Sequence, residues 1–364
     1  MKFISEYRNP EVVEQYINEI HKITTQNWTI MEVCGGQTHS LVKNGILNIL
    51  PSKITMVHGP GCPVCVTPLN LIDKAVYLAL NKGVIMCTFG DMIRVPGSEK
   101  SLLEAKAFGA DVRILYSPLE AVKIAQENPD KQVVFFAVGF ETTAPANALS
   151  VLHAKRLGLN NYSILASHVL VPPAIEAVMN DDTARIQGFL AAGHVCTIMG
   201  ISDYQPIVEK YQIPIVVTGF EPVDLLHGIL MVVKQLENGE KKLENQYSRV
   251  VKPEGNPEAI KVINEVFETQ DREWRGIGTI PMSGWEVKST LTEFDANKKF
   301  AINIAKAPEC AECIAGLVLK GIKKPYECSQ FGKNCTPEKP LGAPMVSSEG
   351  ACAAYFHYAN VEAV

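Results

Sequence analysis

The apolar residues of this chain fall in short, nearly unbroken runs separated by polar stretches with helical patterning. TIMEVC (29–34), KITMVH (53–58), VIMCTF (84–89), DVRILY (111–116), QVVFFAV (132–138), SILASH (163–168), VCTIM (195–199) and IPIVVT (213–218) predict strands. They alternate little between apolar and polar, as strands covered on both faces of a parallel sheet do. Helices between them have readable ends. PLNLIDKAVYLALNKG (68–83) opens on proline and closes on glycine, residues suited to a first turn and to the position past the last. Repeated strand–helix alternation predicts an α/β fold with parallel sheets. A short echo, VGFETTAP (138–145) and TGFEPVDL (218–225), with FGDMIRVP (89–96) as a looser third copy, fits two similar α/β units that divide near residue 130.

After residue 240 the texture changes. ENGEKKLENQYSRVVKPEGNPE (237–258) is polar and turn-rich, and PEAIKVINEVFETQ (257–270) predicts one helix. Beyond it come glycine, proline and cysteine with little periodicity. The organisation expected is an N-terminal helix and first α/β domain over 1–130, a second α/β domain over 131–240, and a cysteine-rich domain over 241–364. A region with so little apolar patterning needs another source of order, and metal coordination is the simplest.

Composition narrows the function classes. Of 364 residues, 47% are apolar and 20% charged, and the formal charge is −5, so no global basic field invites nucleic acid. No run reaches the ~18 apolar residues of a membrane helix. The start, MKFISEYRNPEVVEQY, lacks the apolar core of a secretory signal. The expectation is a cytoplasmic protein with neither nucleic acid nor membrane as partner.

A reducing compartment changes how ten cysteines are read, since clustered thiols there point to metal or redox chemistry. Cys87 and Cys196 sit in apolar runs and read as core thiols. Cys34 ends one strand in MEVCGGQTHS, with His39 five residues on, and His58 ends the next, directly before GPGCPVC (59–65). Strand ends of this kind gather sites in open α/β sheets. Glycines and Pro63 bend the chain around Cys62 and Cys65, whose two-residue spacer lets the sulfurs form a disulfide or share a metal. Cys65 is thus a candidate metal ligand as well as a redox thiol. The late set, Cys310, Cys313, Cys328 and Cys335 with Cys352 beyond, has no nearby histidine. That favours an iron–sulfur cluster over structural zinc, and the wide Cys328–Cys335 spacing leans the same way. Phosphate-loop, dinucleotide-binding and nucleophile-elbow motifs are missing, so the chemistry rests with sulfur.

MEVCGGQTH, HGPGCPVCV, CTFGDMIRVPG, GADVRILYSP, VVFFAVGFETTAP, GFEPVDLLHG, ENQYSRVV, EWRGIG and MVSSEGACAAY run in order from residue 31 to residue 355. Together they resemble the HypD family, which matures [NiFe]-hydrogenases. The resemblance implies two Rossmann-like α/β domains and a third domain holding a [4Fe–4S] cluster. It implies a scaffold that works with the small chaperone HypC and receives cyanide through HypE, so that an Fe(CN)2CO unit is assembled on it. Carried over, Cys34 would bind that iron together with a HypC cysteine. Cys62 and Cys65 would be the redox pair, and Cys310, Cys313, Cys328 and Cys335 the cluster ligands. The chain departs from the family pattern twice. Gln37 stands where members commonly carry the first histidine of GGHTH, leaving His39. Ala315 stands where they carry a cysteine before the glycine at 316, which makes Cys352 an alternative to Cys310 or Cys313. A stand-alone cluster-linked thiol–disulfide oxidoreductase is the rival function, and it would need no Cys34. A zinc-stabilised binding protein would need no redox chemistry at all.

Overall fold

A computed structural model describes residues 5–305 and 307–359. Its strands, in chain order, are β1 (Trp28–Glu32), β2 (Ile54–His58), β3 (Val84–Thr88), β4 (Asp111–Ile114), β5 (Gln132–Gly139), β6 (Tyr162–Val169), β7 (Gly188–Ala192), β8 (Ile215–Thr218), β9 (Leu243–Asn245), β10 (Phe267–Trp274) and β11 (Gly278–Val287). They form two sheets, ordered β2-β1-β7-β8-β9 and β10-β11-β6-β5-β3-β4. Every pairing in the first sheet is parallel. In the second, β3 to β6 are parallel and the β10–β11 hairpin adds to β6 antiparallel. The fold is α/β with two parallel-dominated sheets.

The two sheets interleave along the chain. β3 pairs with β5, from Val84↔Gln132 onward, so residue 130 lies inside one sheet and not between two. β7 and β8 return to the sheet begun by β1 and β2. β9, β10 and β11 extend both sheets past residue 240, which leaves the cysteine-rich stretch proper after about residue 300. VCTIM is helical, within Gly193–Met199, and the strand is the preceding GFLAA, β7. The helix expected over 257–270 stops at Val266, and the chain turns directly into β10.

Burial explains the central strands. In β5, Val133 to Gly139 are all buried, and Phe135 and Phe136 are fully so. Each such aromatic contributes roughly 1.5–3 kcal/mol of transfer free energy. Helix ends follow local chemistry: Ser101 and Ser117 each cap a helix with a reciprocal glutamate three residues on. Cys87 and Cys196 are fully buried, as core thiols should be. Among the described residues, no helix is long and apolar enough to cross a membrane.

Candidate metal and dithiol centre

Cys34 follows β1 and is the N-cap residue of the helix Gly35–Lys43, with extended backbone and no capping bond from its thiol. A serine or aspartate there would spend its oxygen on the helix; the sulfur is left free. The turn that carries Cys62 packs straight onto it. Gly35 N–H donates to Gly61 O at 2.8 Å and Gly59 N–H to Glu32 O at 2.8 Å. A Cβ on Gly61 would stand 2.2 Å from the Cys34 nitrogen, so only glycine permits this approach.

Cys62 and Cys65 are joined as a disulfide with Cα atoms 5.2 Å apart. Cys62 caps the four-residue helix Pro63–Val66, and the longer helix starts only at Leu69, after Pro68. Both sulfur residues are buried. The turn is held from the far side as well, because Val66 O accepts Arg275 N–H at 2.8 Å. Arg275, from EWRGIG, is itself buried and reaches Glu309 Oε2 at 2.9 Å and Pro96 O at 3.2 Å. It therefore ties the dithiol turn to the start of the cysteine-rich segment.

The nearest imidazole to the Cys34 thiol is one the sequence reading missed. Both ring nitrogens of His194 lie 3.9 Å from Cys34 Sγ. His194 opens the helix after β7, and Phe220 meets its ring edge-on at 5.0 Å. The same phenyl ring is the close neighbour of Gly36. A correct reading of GFLAA as a strand would have put His194 at a strand end beside Cys34. His39, by contrast, bonds Ser348 O at 3.1 Å and meets Tyr358 edge-on. Gln37 is fully buried; its amide donates to Ala191 O at 3.1 Å and to Thr218 Oγ1 at 2.7 Å, tying the helix to the ends of β7 and β8.

Burial, and then the charge of Glu349, push the Cys34 thiol well above its usual range; the amides of Gln37 and Gly36 oppose them. The free thiol is protonated near neutrality. Desolvation holds His194 down at about 4, so it is a neutral base beside that proton.

The late cysteines divide. Cys310 is exposed, whereas Cys313, Cys328 and Cys352 are half-buried and Cys335 is buried. Burial raises Cys352 first, and the charges of Cys313, Cys335 and Cys328 add to it. Burial likewise raises Cys313, with Cys335 and Cys328 adding and the Ala315 amide and Arg275 opposing. These four thiols thus lie within electrostatic reach of one another. Gly342 leaves room for one of them, since a Cβ there would meet Cys313 Sγ at 2.4 Å. Leu341 N–H points at Cys335 Sγ, 3.4 Å away. Met345, Ala353, Leu341 and Phe331 line the surroundings of Cys335. Among the described residues, no three His, Cys, Asp or Glu side chains stand close enough together to grip a metal as they are. The donor set nonetheless suits soft-metal chemistry, since all four groups are thiols and two of them, Cys335 and Cys352, lie against an apolar cluster.

A family model described as "HypD: Hydrogenase formation hypA family" matches residues 11–359. The chain belongs to the HypD family. It is 46% identical to the hydrogenase maturation factor HypD of Rhodobacter capsulatus, with the whole of both chains covered. Identity to the protein of that name from Azotobacter vinelandii is 45%, over 98% of this chain and 97% of the relative. For the Escherichia coli (strain K12) protein it is 44%, over 100% and 99%. Within this HypD chain, Cys34 and the Cys62–Cys65 turn meet at one set of strand ends, while Cys313, Cys328, Cys335 and Cys352 lie within electrostatic reach of one another.

Proposed function

We propose that this chain serves hydrogenase maturation as the scaffold on which an Fe(CN)2CO unit is assembled. Family membership supports the coarse role. One observation carries the finer reading: a free, buried thiol at a strand end with a neutral imidazole 3.9 Å away and a dithiol turn packed on its backbone. The iron unit is cargo. Cys34 loses its proton as the sulfur takes the iron, His194 being the adjacent acceptor, and the thiolate is shared with a cysteine of a HypC-type chaperone. A HypE-type protein supplies cyanide. A thiolate suits low-spin iron that carries strong-field diatomic ligands, because its charge offsets what they withdraw.

A [4Fe–4S] cluster, when bound, would supply single electrons. Cys313, Cys328 and Cys335 would hold it, with Cys352 in the place first given to Cys310. Reducing Cys62–Cys65 breaks the S–S bond and takes up two electrons and two protons, giving two thiols. Those two electrons are then available beside Cys34. Arg275 ties the dithiol turn to the start of the cysteine-rich segment through Val66 O and Glu309, which supports an electron relay between the two.

The test is anaerobic isolation of the complex with a HypC-type partner, with infrared spectra of wild type and Cys34→Ala. Cyanide and carbonyl bands in the wild type and none in the variant, with sulfide content equal and iron lower only by the cargo atom, are the expected result. Full-strength bands in the variant would remove Cys34 as the ligand. The oxidoreductase alternative predicts that Cys34→Ala costs nothing.

A further inference from the structure

Glu32 is the last residue of β1 and is wholly buried. An ionised carboxylate placed there costs several kcal/mol unless its oxygens are partnered, and they are. Oε2 accepts the Cys34 amide at 3.0 Å. Oε1 accepts His58 Nδ1–H at 2.6 Å and also the Thr38 hydroxyl. With the Nδ1 proton committed to the carboxylate, His58 Nε2 is an acceptor, and the Tyr355 hydroxyl donates to it at 2.9 Å. His58 and Tyr355 are almost wholly buried, and their rings meet edge-on at 5.3 Å.

The chain of bonds has two functional ends. At one end is the amide of Cys34, whose thiol takes no part in capping its helix and whose backbone therefore needs another anchor. At the other end is Tyr355, on the helix Ala351–Tyr358 and one turn beyond Cys352. A second tie runs alongside: Lys324, between Cys313 and Cys328, donates to Met56 O on β2. Apolar residues could fill the same space at lower cost. A fully partnered polar chain instead fixes one geometry.

We propose that Glu32, acting through His58 and Tyr355, is a positioning residue for Cys34, and that this chain couples the thiol turn to the cysteine-rich segment. The coupling rests on the scaffold reading only for what Cys34 carries. Disturbance of the segment around Cys352 reaches Cys34 through Tyr355, and the converse also holds.

Tyr355→Phe removes one hydroxyl and keeps the ring. Amide hydrogen exchange over residues 34–38 should quicken at least tenfold, while β1 and the second sheet exchange as before. Tyr326→Phe is the control, because Tyr326 neighbours Tyr355 at 6.0 Å between ring centres without being a link in the chain. In the complex, Tyr355→Phe should also shift the cyanide and carbonyl frequencies, whereas a purely packing role would change band intensity alone. Glu32→Gln, which keeps the shape and one acceptor oxygen, should act in the same direction. Unchanged exchange over 34–38 in both variants would overturn the proposal. Absence of bands from the wild type would instead refute the scaffold reading, and the exchange result would still decide the coupling.

Discussion

The sheet-borne half of the centre and the cysteine-rich half are ordered by different means. Around Cys34 and the disulfide, buried strands fix the backbone and the thiols follow; Gly61 lies so close to Cys34 that a single methyl group would collide with main chain. Between residues 301 and 350 the regular structure, among the described residues, is the helix Ala315–Leu319 and two 3-10 turns. Here the thiols are held by turns and by docking onto the sheets. The contrast teaches that the Cys34 side is fixed by its own packing, whereas a segment with so little regular structure is of the kind that a bound metal orders.

The strongest way to break this comparison is to remove a sulfur from the second half. Cys335→Ala should bleach the protein and open residues 301–350 to limited proteolysis, with the melting of the two sheets little changed. Resistance to protease in the bleached variant would show that the segment orders itself.

Two glycines sharpen the contrast. Gly61→Ala forces a Cβ to 2.2 Å from the Cys34 nitrogen and should cost about 3 kcal/mol, near the upper end for overpacking, seen as a lower urea midpoint. Gly342→Ala meets the movable Cys313 sulfur at 2.4 Å; it should leave that midpoint nearly in place but lower the iron content. Equal loss of stability in both would put the two halves on the same footing.

The smallest effect concerns pH. His168 is fully buried and held down at about 3, by desolvation first and then by the Arg272 charge. Its Nε2 accepts from the Asn147 amide at 2.6 Å. Above about pH 6.5 neither the folded nor the unfolded chain protonates this residue. Below that, the unfolded chain binds the proton and the folded one does not, so stability falls as pH drops from 6.5 toward 3. The slope is roughly 1 kcal/mol per pH unit. Denaturant titrations at pH 7, 6, 5 and 4 on wild type and His168→Gln should differ by that slope, and parallel curves would exclude His168 as its source.

Much of the fold was legible, and the failures share a cause. Seven of the runs read as strands became β1 to β6 and β8, since continuous apolar patterning reports burial on both faces. GFLAA escaped notice because glycine and alanine are weak strand formers. Gly188 is nevertheless required, as a Cβ there would stand 2.6 Å from Val232. VCTIM has the β-branched residues of a strand, yet it lies just past the end of β7, in the helix Gly193–Met199, where the chain must turn away. That likeness hid His194. The hairpin β10–β11 was hidden differently, because FETQDREW is charged on its outer face and imitates a helix end. Cys34 and the Cys62–Cys65 turn were readable because their neighbours are glycine and proline, which mark backbone geometry. Which late thiols face one another was not, since packing across the segment decides it and spacing does not.

The interleaving of the two sheets bears on how the chain is made. β1 ends at residue 32, and its second neighbour, β7, begins at residue 188. At about 5–20 residues per second, the ribosome takes roughly 8 to 30 s to deliver that neighbour. Throughout that interval β1 and β2 have only each other, while β3, β4, β5 and β6 already emerge together and can close first. The Cys34 turn is therefore made well before the strand that completes its surroundings. A nascent chain carries this thiol beside an incomplete sheet throughout that interval.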